Sequence, residues 1–164
     1  MVGQKHRDEP EKLVGFRVGD VAYAVRISAV REIVNPLPVW ALPHSPPAVV
    51  GVADHRGEVV PIIDLRIRFG LTATADAGRA KWILVSVEGR TAGLVVEQVT
   101  EVFTADDSEL RPAPDLGGGE ERRGISGVTT YQGEMVFVLD LRRFADFAEA
   151  LATASVFPKG RESV

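Results

Sequence analysis

The chain has 164 residues, no cysteine and a formal net charge of −4. The lack of cysteine excludes a disulfide framework and a thiolate metal site, and the acidic balance argues against a basic nucleic-acid surface. The polar N-terminus lacks the apolar segment of a signal peptide, and no apolar stretch approaches the ~18 residues that span a bilayer. We therefore expect a cytoplasmic protein of one domain, or of two small ones, with no nucleic-acid partner and no membrane insertion.

Strand patterns fill the first half of the chain. After a polar tail at residues 1–12, which is predicted to be disordered, an alternating run with a Gly-Asp turn predicts a hairpin over Phe16–Val25. Val30–Val34 predicts a further strand. A connection rich in proline follows, and it leads into the stretch Gly51–Arg66, in which polar turn residues precede an apolar run.

The second half repeats this order. Trp82–Val96 predicts a hairpin with its turn at Glu88-Gly89, and Val99–Phe103 predicts the strand after it. Gly127–Arg142 then aligns without gaps on Gly51–Arg66, with eight of sixteen positions identical. The hairpins align at an offset of 69 residues and these later stretches at 76, so the linkers absorb the difference. The chain is therefore predicted to contain two related halves of about five short strands each.

Short strands leave exposed edges unless their sheet closes, so we predict an all-β fold of two pseudo-repeated five-stranded barrels. The two barrels are predicted to intertwine in a single domain over residues 13–152, with their junction near 71–81. The spacing of apolar residues predicts a short C-terminal helix over Leu141–Ala152. Residues 153–164 are predicted to form a flexible tail.

Asp54 and His55 are the pair to consider for acid–base chemistry. Neighbouring strand residues point to opposite faces, and no Gly-x-Ser-x-Gly elbow is present. The three histidines do not have a metal-ligand spacing, and the glycine run at 117–119 lacks the Lys-Ser/Thr of a phosphate-binding loop. We predict that the chain is no enzyme and has no catalytic, cofactor-binding or metal-binding residues. A small hydrolase that uses Asp54 and His55 is the alternative.

Repeated and unrepeated polar residues suggest different roles. Asp64 and Asp140 occur in both halves at the end of an apolar strand, where a carboxylate can cap a helical turn. Arg56 lies at a predicted hairpin tip, and its counterpart is Gln132, so the duplication does not require the charge. We expect Arg56 to contact a protein partner. Glu32 is predicted to face away from Ile33, into solvent or toward a partner.

The order of these motifs resembles the CheW-like family. It runs F-x-V-G-D-x-x-Y-A-V-x-I-x-x-V-R-E-I, then G-V-x-x-x-R-G-E-V-V-P-I-I-D-L-R, then G-L-V-V-E-x-V-x-E-V, then G-V and V-L-D-L. The match covers about residues 13–147. The resemblance implies a pair of five-stranded SH3-like barrels, with no catalysis and no cofactor.

The resemblance also implies a function. CheW-like proteins are adaptors that couple the cytoplasmic tip of chemoreceptors, a helical hairpin, to the regulatory domain of the histidine kinase CheA. They also associate with other CheW-like domains in rings. This predicts a cytoplasmic adaptor at membrane-associated receptor arrays. The alternative within the family is an adaptor of a non-flagellar pathway that controls pili, development or gene expression.

The motif positions carry over a receptor-binding surface and leave the kinase-facing residues unassigned. The residues that the resemblance assigns to the receptor are Val30, Glu32, Gly51 and Arg56. The chain departs from the usual pattern at Asp54-His55, where Asn-Leu is common, and at Glu97, where Asp is common. The first departure leaves open which receptors this adaptor serves.

Overall fold

The computed structural model describes residues 11–72, 79–105, 110–112 and 124–143, and these residues are mainly β-structure. The strands are β1 (Glu11–Val18), β2 (Val21–Arg26), β3 (Val30–Val34), β4 (Val49–His55), β5 (Glu58–Asp64), β6 (Lys81–Val87), β7 (Arg90–Val96), β8 (Gln98–Ala105), β9 (Arg111–Pro112), β10 (Ile125–Tyr131) and β11 (Glu134–Leu139). The helical segments are α1 (Leu65–Arg68) and single 3₁₀ turns at Ile27–Ala29 and Leu141–Arg143.

The strands form two sheets that exchange hairpins between the two halves of the chain. The first sheet has the order β8-β1-β2-β11-β10-β9 and the second the order β3-β6-β7-β5-β4. The hairpin β1-β2 therefore lies among strands of the second half, and the hairpin β6-β7 among strands of the first. The exchange is made through two parallel pairs, β2 with β11 and β5 with β7. The predicted all-β fold class is confirmed.

Each sheet curls until strands that are far apart in its hydrogen-bonded order come into contact. In the second sheet β3 and β4 are at opposite ends of the hydrogen-bonded order, yet Glu32 of β3 lies 3.1 Å from Arg56, the residue that follows β4. In the first sheet Phe103 of β8 stacks on Tyr131 of β10, with ring centroids 4.2 Å apart. Contacts between distant strands of one sheet are what barrel closure requires, and they agree with the SH3-like architecture.

The two barrels share a core. The largest cluster of buried side chains includes Val14, Phe16 and Tyr23 from the first sheet, together with Ile83 and Leu94 from the second. Burial of a large apolar side chain contributes about 1.5–3 kcal/mol. Separating the sheets would expose several such residues at once, so the exchanged hairpins hold both barrels together.

The ends of the elements follow the sequence signals with one displacement. Asp64 accepts a hydrogen bond from the Arg66 N–H at 3.0 Å, and Asp140 accepts one from the Arg142 N–H at 3.1 Å, so both predicted caps are confirmed. β1 begins at Glu11, earlier than the predicted hairpin, because a register shift between Val14 and Phe16 interrupts the alternation of the strand. Of the predicted C-terminal helix only residues 141–143 are described, as a 3₁₀ turn, and the rest lies outside the described residues, as does the predicted tail at 153–164. The predicted disordered tail at 1–12 was wrong at its end, because Glu11 and Lys12 pair with β8 as part of β1; residues 1–10 lie outside the described residues.

Candidate protein-interaction site

The β4–β5 hairpin presents Arg56 at its tip. Arg56 and Gly57 have φ of 57° and 83°, the positive pair that a two-residue type I′ turn needs. Asp54 Oδ1 accepts a hydrogen bond from the Gly57 N–H at 2.9 Å, which fixes the turn. The Arg56 side chain is 74% exposed. A tight turn thus holds an exposed guanidinium in a defined place.

Glu32 lies between the two polar residues at this tip. Its Oε2 accepts a hydrogen bond from Arg56 Nη2 at 3.1 Å, and its Oε1 lies 3.4 Å from His55 Nε2. The Glu32 side chain is half-buried, whereas Ile33 is 43% exposed. Exposure alternates along β3, so Glu32 faces away from Ile33 as predicted, and the side of the strand that carries Glu32 is the less exposed one.

Asp54 and His55 have different partners. The Asp54 carboxylate accepts from the Gly57 N–H, and the His55 ring faces Glu32. The two side chains of the hydrolase alternative are therefore engaged in the turn and in barrel closure. Within the described ranges no group of three His, Cys, Asp or Glu side chains could hold a metal ion.

Gly51 supports the site through the backbone. It is buried, with a φ of 150°, and a Cβ at this position would overlap the carbonyl oxygen of Trp40 and lie 2.7 Å from Val39 Cγ1. The close approach lets Trp40 and Val52 exchange two backbone hydrogen bonds, of 2.8 and 2.9 Å. Trp40, which the sequence analysis did not single out, has 60% of its surface exposed. The prolines on both sides of its segment were the sequence feature that could have pointed to Trp40.

Val30 begins the strand that carries Glu32, and it follows Ala29, which lines a cleft between the two sheets. It is half-buried against the shared core. The cleft has a volume of about 290 Å³. Its apolar and small lining residues come from both sheets and from the turn before β3: Val25, Ser28, Ala29, Val87, Leu139 and Leu141. Ile27, beside them in the chain, is 41% exposed. The cleft between the barrels thus lies beside the start of β3, the strand that carries Glu32.

The corresponding region of the second half has a different chemistry. Tyr131, the counterpart of His55, donates a hydrogen bond to Glu101, the counterpart of Glu32. This hydrogen bond raises the pKa of Tyr131. The tip residue is Gln132, with a φ of 52°, so the turn is kept and the cation is absent. Of the two tips, the first alone combines an exposed cation with a half-buried carboxylate.

The fold and this surface define a protein-interaction module of two intertwined barrels. The described helical segments reach four residues in α1, and none is long and apolar enough to cross a membrane. The chain belongs to the CheW-like domain family, whose model matches residues 12–149. Proteins of this family are chemotaxis scaffolds and not enzymes, and we assign this chain to the same class.

Individual relatives support the family assignment. The chain is 38% identical over 130 residues to the chemotaxis protein CheW of Rhizobium meliloti (strain 1021), which covers 79% of this chain and 84% of the relative. It is 34% identical over 115 residues to the chemotaxis protein CheW of Helicobacter pylori, with 69% of this chain and 70% of the relative covered. The crystal structure of the scaffolding protein TtCheW from Thermoanaerobacter tengcongensis superposes with a TM-score of 0.74 at 27% identity, over 80% of this chain and 90% of that one.

Proposed function

We propose that this chain is a cytoplasmic adaptor that couples the tip of a chemoreceptor to the regulatory domain of a CheA-type kinase, in arrays that also contain other CheW-like domains. The observation that carries the proposal is the exposed Arg56 held against Glu32, on the strand that begins beside the cleft between the barrels. An adaptor for a pathway other than flagellar motility would use the same surface. Identification of the native receptor and kinase would show whether the pathway controls flagellar motility or another process.

The receptor surface is proposed to run along β3, from the cleft past Val30 to Glu32 and Arg56. Alternate residues of a strand are ~6.6 Å apart, and residues i and i+4 of a helix are ~6 Å apart. A receptor helix lying along β3 can therefore place successive side chains of one face against Val30 and Glu32. This is a helix-in-groove arrangement. Gly51 contributes indirectly, since it holds the Trp40 segment in place.

Replacement of Arg56 by glutamate tests the receptor surface. Arg56→Glu places a second carboxylate beside Glu32 and removes the exposed cation, so affinity for a soluble receptor-tip fragment should fall about tenfold or more, ~1.4 kcal/mol. Gln132→Glu is the matched control, because Gln132 has the same turn geometry in the other barrel. It should leave receptor binding within about twofold of the wild type, on the same scale.

Both variants should melt close to the wild type, because both residues are exposed at turns. Receptor binding would be measured by isothermal titration calorimetry and folding by circular dichroism. Unchanged receptor affinity of a folded Arg56→Glu protein would contradict the proposed surface. Retained binding to the isolated kinase regulatory domain would show that the loss is confined to the receptor side.

A further inference from the structure

Trp40 is an exposed tryptophan next to an exposed valine. It is the most exposed of the large apolar side chains in the part of the chain that the structure describes, and Val39 beside it is also exposed. Trp82, by contrast, is 3% exposed and packs in the core of the second sheet. Tryptophan is highly buried on average in folded proteins, and contiguous exposed apolar surface marks interaction sites. The residues around Trp40 show which surface it belongs to.

The backbone holds Trp40 in a fixed place beside β4. Trp40 and Val52 exchange two backbone hydrogen bonds as an isolated antiparallel bridge, and the missing Cβ of Gly51 leaves room for this close approach. Directly opposed residues of an antiparallel pair place their side chains on one face. The Trp40 ring therefore lies beside Val52, on the less buried face of β4. A rigid aromatic side chain on a fixed backbone loses little conformational entropy when a partner covers it.

The same face of β4 continues to the Arg56 tip. Val52 and Asp54 alternate with the more buried residues of the strand, and Arg56 follows two positions after Asp54. At ~3.4 Å per residue, Arg56 lies ~14 Å along the strand from Val52, and hence from Trp40. The Asp54 carboxylate between them accepts a hydrogen bond from the Gly57 N–H. One face of the hairpin thus presents an apolar end and a cationic end.

We infer that Trp40 is a receptor contact, on the opposite side of the Arg56 tip from β3. The inference rests on the proposed function and adds a face of the hairpin that lies outside the cleft. Helices of ~10 Å diameter pack with their axes roughly 8–10 Å apart, so a helical hairpin is roughly 20 Å wide. If one helix contacts Glu32 and Arg56, the second therefore reaches Trp40. The chemistry that fits is an apolar side chain against the Trp40 ring, with a polar or acidic group opposite Arg56.

Tryptophan fluorescence of the wild-type protein tests this contact directly. The chain has two tryptophans, and because Trp82 is buried, acrylamide in solution quenches mainly Trp40. Trp40→Phe supplies the baseline, since its emission comes from Trp82 alone. Saturation with a tryptophan-free soluble receptor-tip fragment should reduce the quenching of the wild type to that baseline. A tryptophan-free kinase regulatory domain should leave the quenching of Trp40 unchanged.

Affinity measurements show how much the contact contributes. Tryptophan is prominent among the residues that dominate binding interfaces, so Trp40→Ala should weaken binding of the receptor-tip fragment about tenfold in isothermal titration calorimetry. Met135→Ala is the control, because Met135 is 52% exposed on the first sheet, and it should stay within about twofold of the wild type. Trp40→Ala keeps the backbone groups that bond Val52, and circular dichroism checks its folding. If it does not fold, the quenching of the wild type decides.

The outcomes separate this inference from the proposed function. If the fragment binds the wild type while Trp40 stays as open to acrylamide as in the free protein, the inference is wrong and the proposed function stands. Protection of Trp40 by the kinase domain, and not by the fragment, also overturns the inference and assigns this face to the kinase. If the fragment does not bind the wild type at all, the proposed function fails and the inference fails with it. Protection of Trp40 by the bound fragment establishes the contact.

Discussion

Gly51 offers a quantitative test of what the backbone geometry at the site requires. Gly51→Ala introduces a Cβ that would overlap the Trp40 carbonyl oxygen and lie 2.8 Å from the Trp40 carbonyl carbon. These are backbone atoms, so no side-chain rotation can relieve the overlap. The segment that crosses over β4 must move, and alanine must also adopt a φ near 150°, which L-residues rarely do.

The loss of folding stability caused by Gly51→Ala can be estimated from the steric overlap and the unfavourable φ. Moving the segment breaks the paired hydrogen bonds between Trp40 and Val52, each worth about 0.5–1.5 kcal/mol. An unfavourable backbone conformation costs about 1–3 kcal/mol. Together they give about 4 kcal/mol of destabilisation, which lowers the Tm of a chain of this size by roughly 8–16 °C.

The duplication supplies the control. Gly127, the counterpart of Gly51, has its nearest obstacle, the Arg111 carbonyl oxygen, at 3.0 Å, and its φ is outside the left-handed region. Gly127→Ala should therefore cost about 1 kcal/mol and lower the Tm by roughly 2–4 °C. Thermal melts followed by circular dichroism compare the two. A Gly51→Ala protein that melts within 2 °C of the wild type, or above Gly127→Ala, would refute the steric argument.

Two further predictions concern the N-caps Asp64 and Asp140 and the ion pair between Arg66 and Glu97. Asp64→Ala and Asp140→Ala each remove an N-cap hydrogen bond and should each cost about 1 kcal/mol in urea unfolding; no change in either midpoint would exclude a capping role. Because the pKa of Glu97 is lowered from 4.5 in the fold, its stabilisation is present above pH 4.5 and is lost as pH falls through the folded pKa. The stability difference between wild type and Glu97→Gln should therefore shrink on acidification, and a difference constant with pH would contradict a stabilising Arg66–Glu97 ion pair.

The hairpins could be predicted from the sequence because their signals are local. Alternation and a glycine at the turn identify Val21–Arg26 and Arg90–Val96 as the second strands of hairpins, and the structure places them there. The parallel pairing of β2 with β11 joins residues more than a hundred positions apart. No local pattern encodes such a pair. The hairpins are exchanged because the exchange lets both sheets bury one shared core.

The candidate site was predictable in part for the same reason. Arg56 differs from Gln132 at an otherwise repeated turn, and that difference is visible in the sequence. The half-buried position of Glu32 was not predicted, because it depends on the contacts of Glu32 with His55 and Arg56, which barrel closure brings together. The contacts of Glu97 with Gly19 and Arg66 were not predicted either, because only the fold brings these residues together.

Comparison of the two halves separates structural residues from recognition residues. Gly51 has a glycine counterpart, and both glycines are closely approached by backbone atoms of another segment. Val30 has the counterpart Val99, and both valines pack against the shared core. Glu32 has Glu101, and each glutamate contacts the hairpin that closes its barrel. A role common to both barrels cannot by itself specify a partner that binds one of them. Specificity must come from positions where the halves differ, among them the Arg56 tip, and substitutions there should affect binding more than stability.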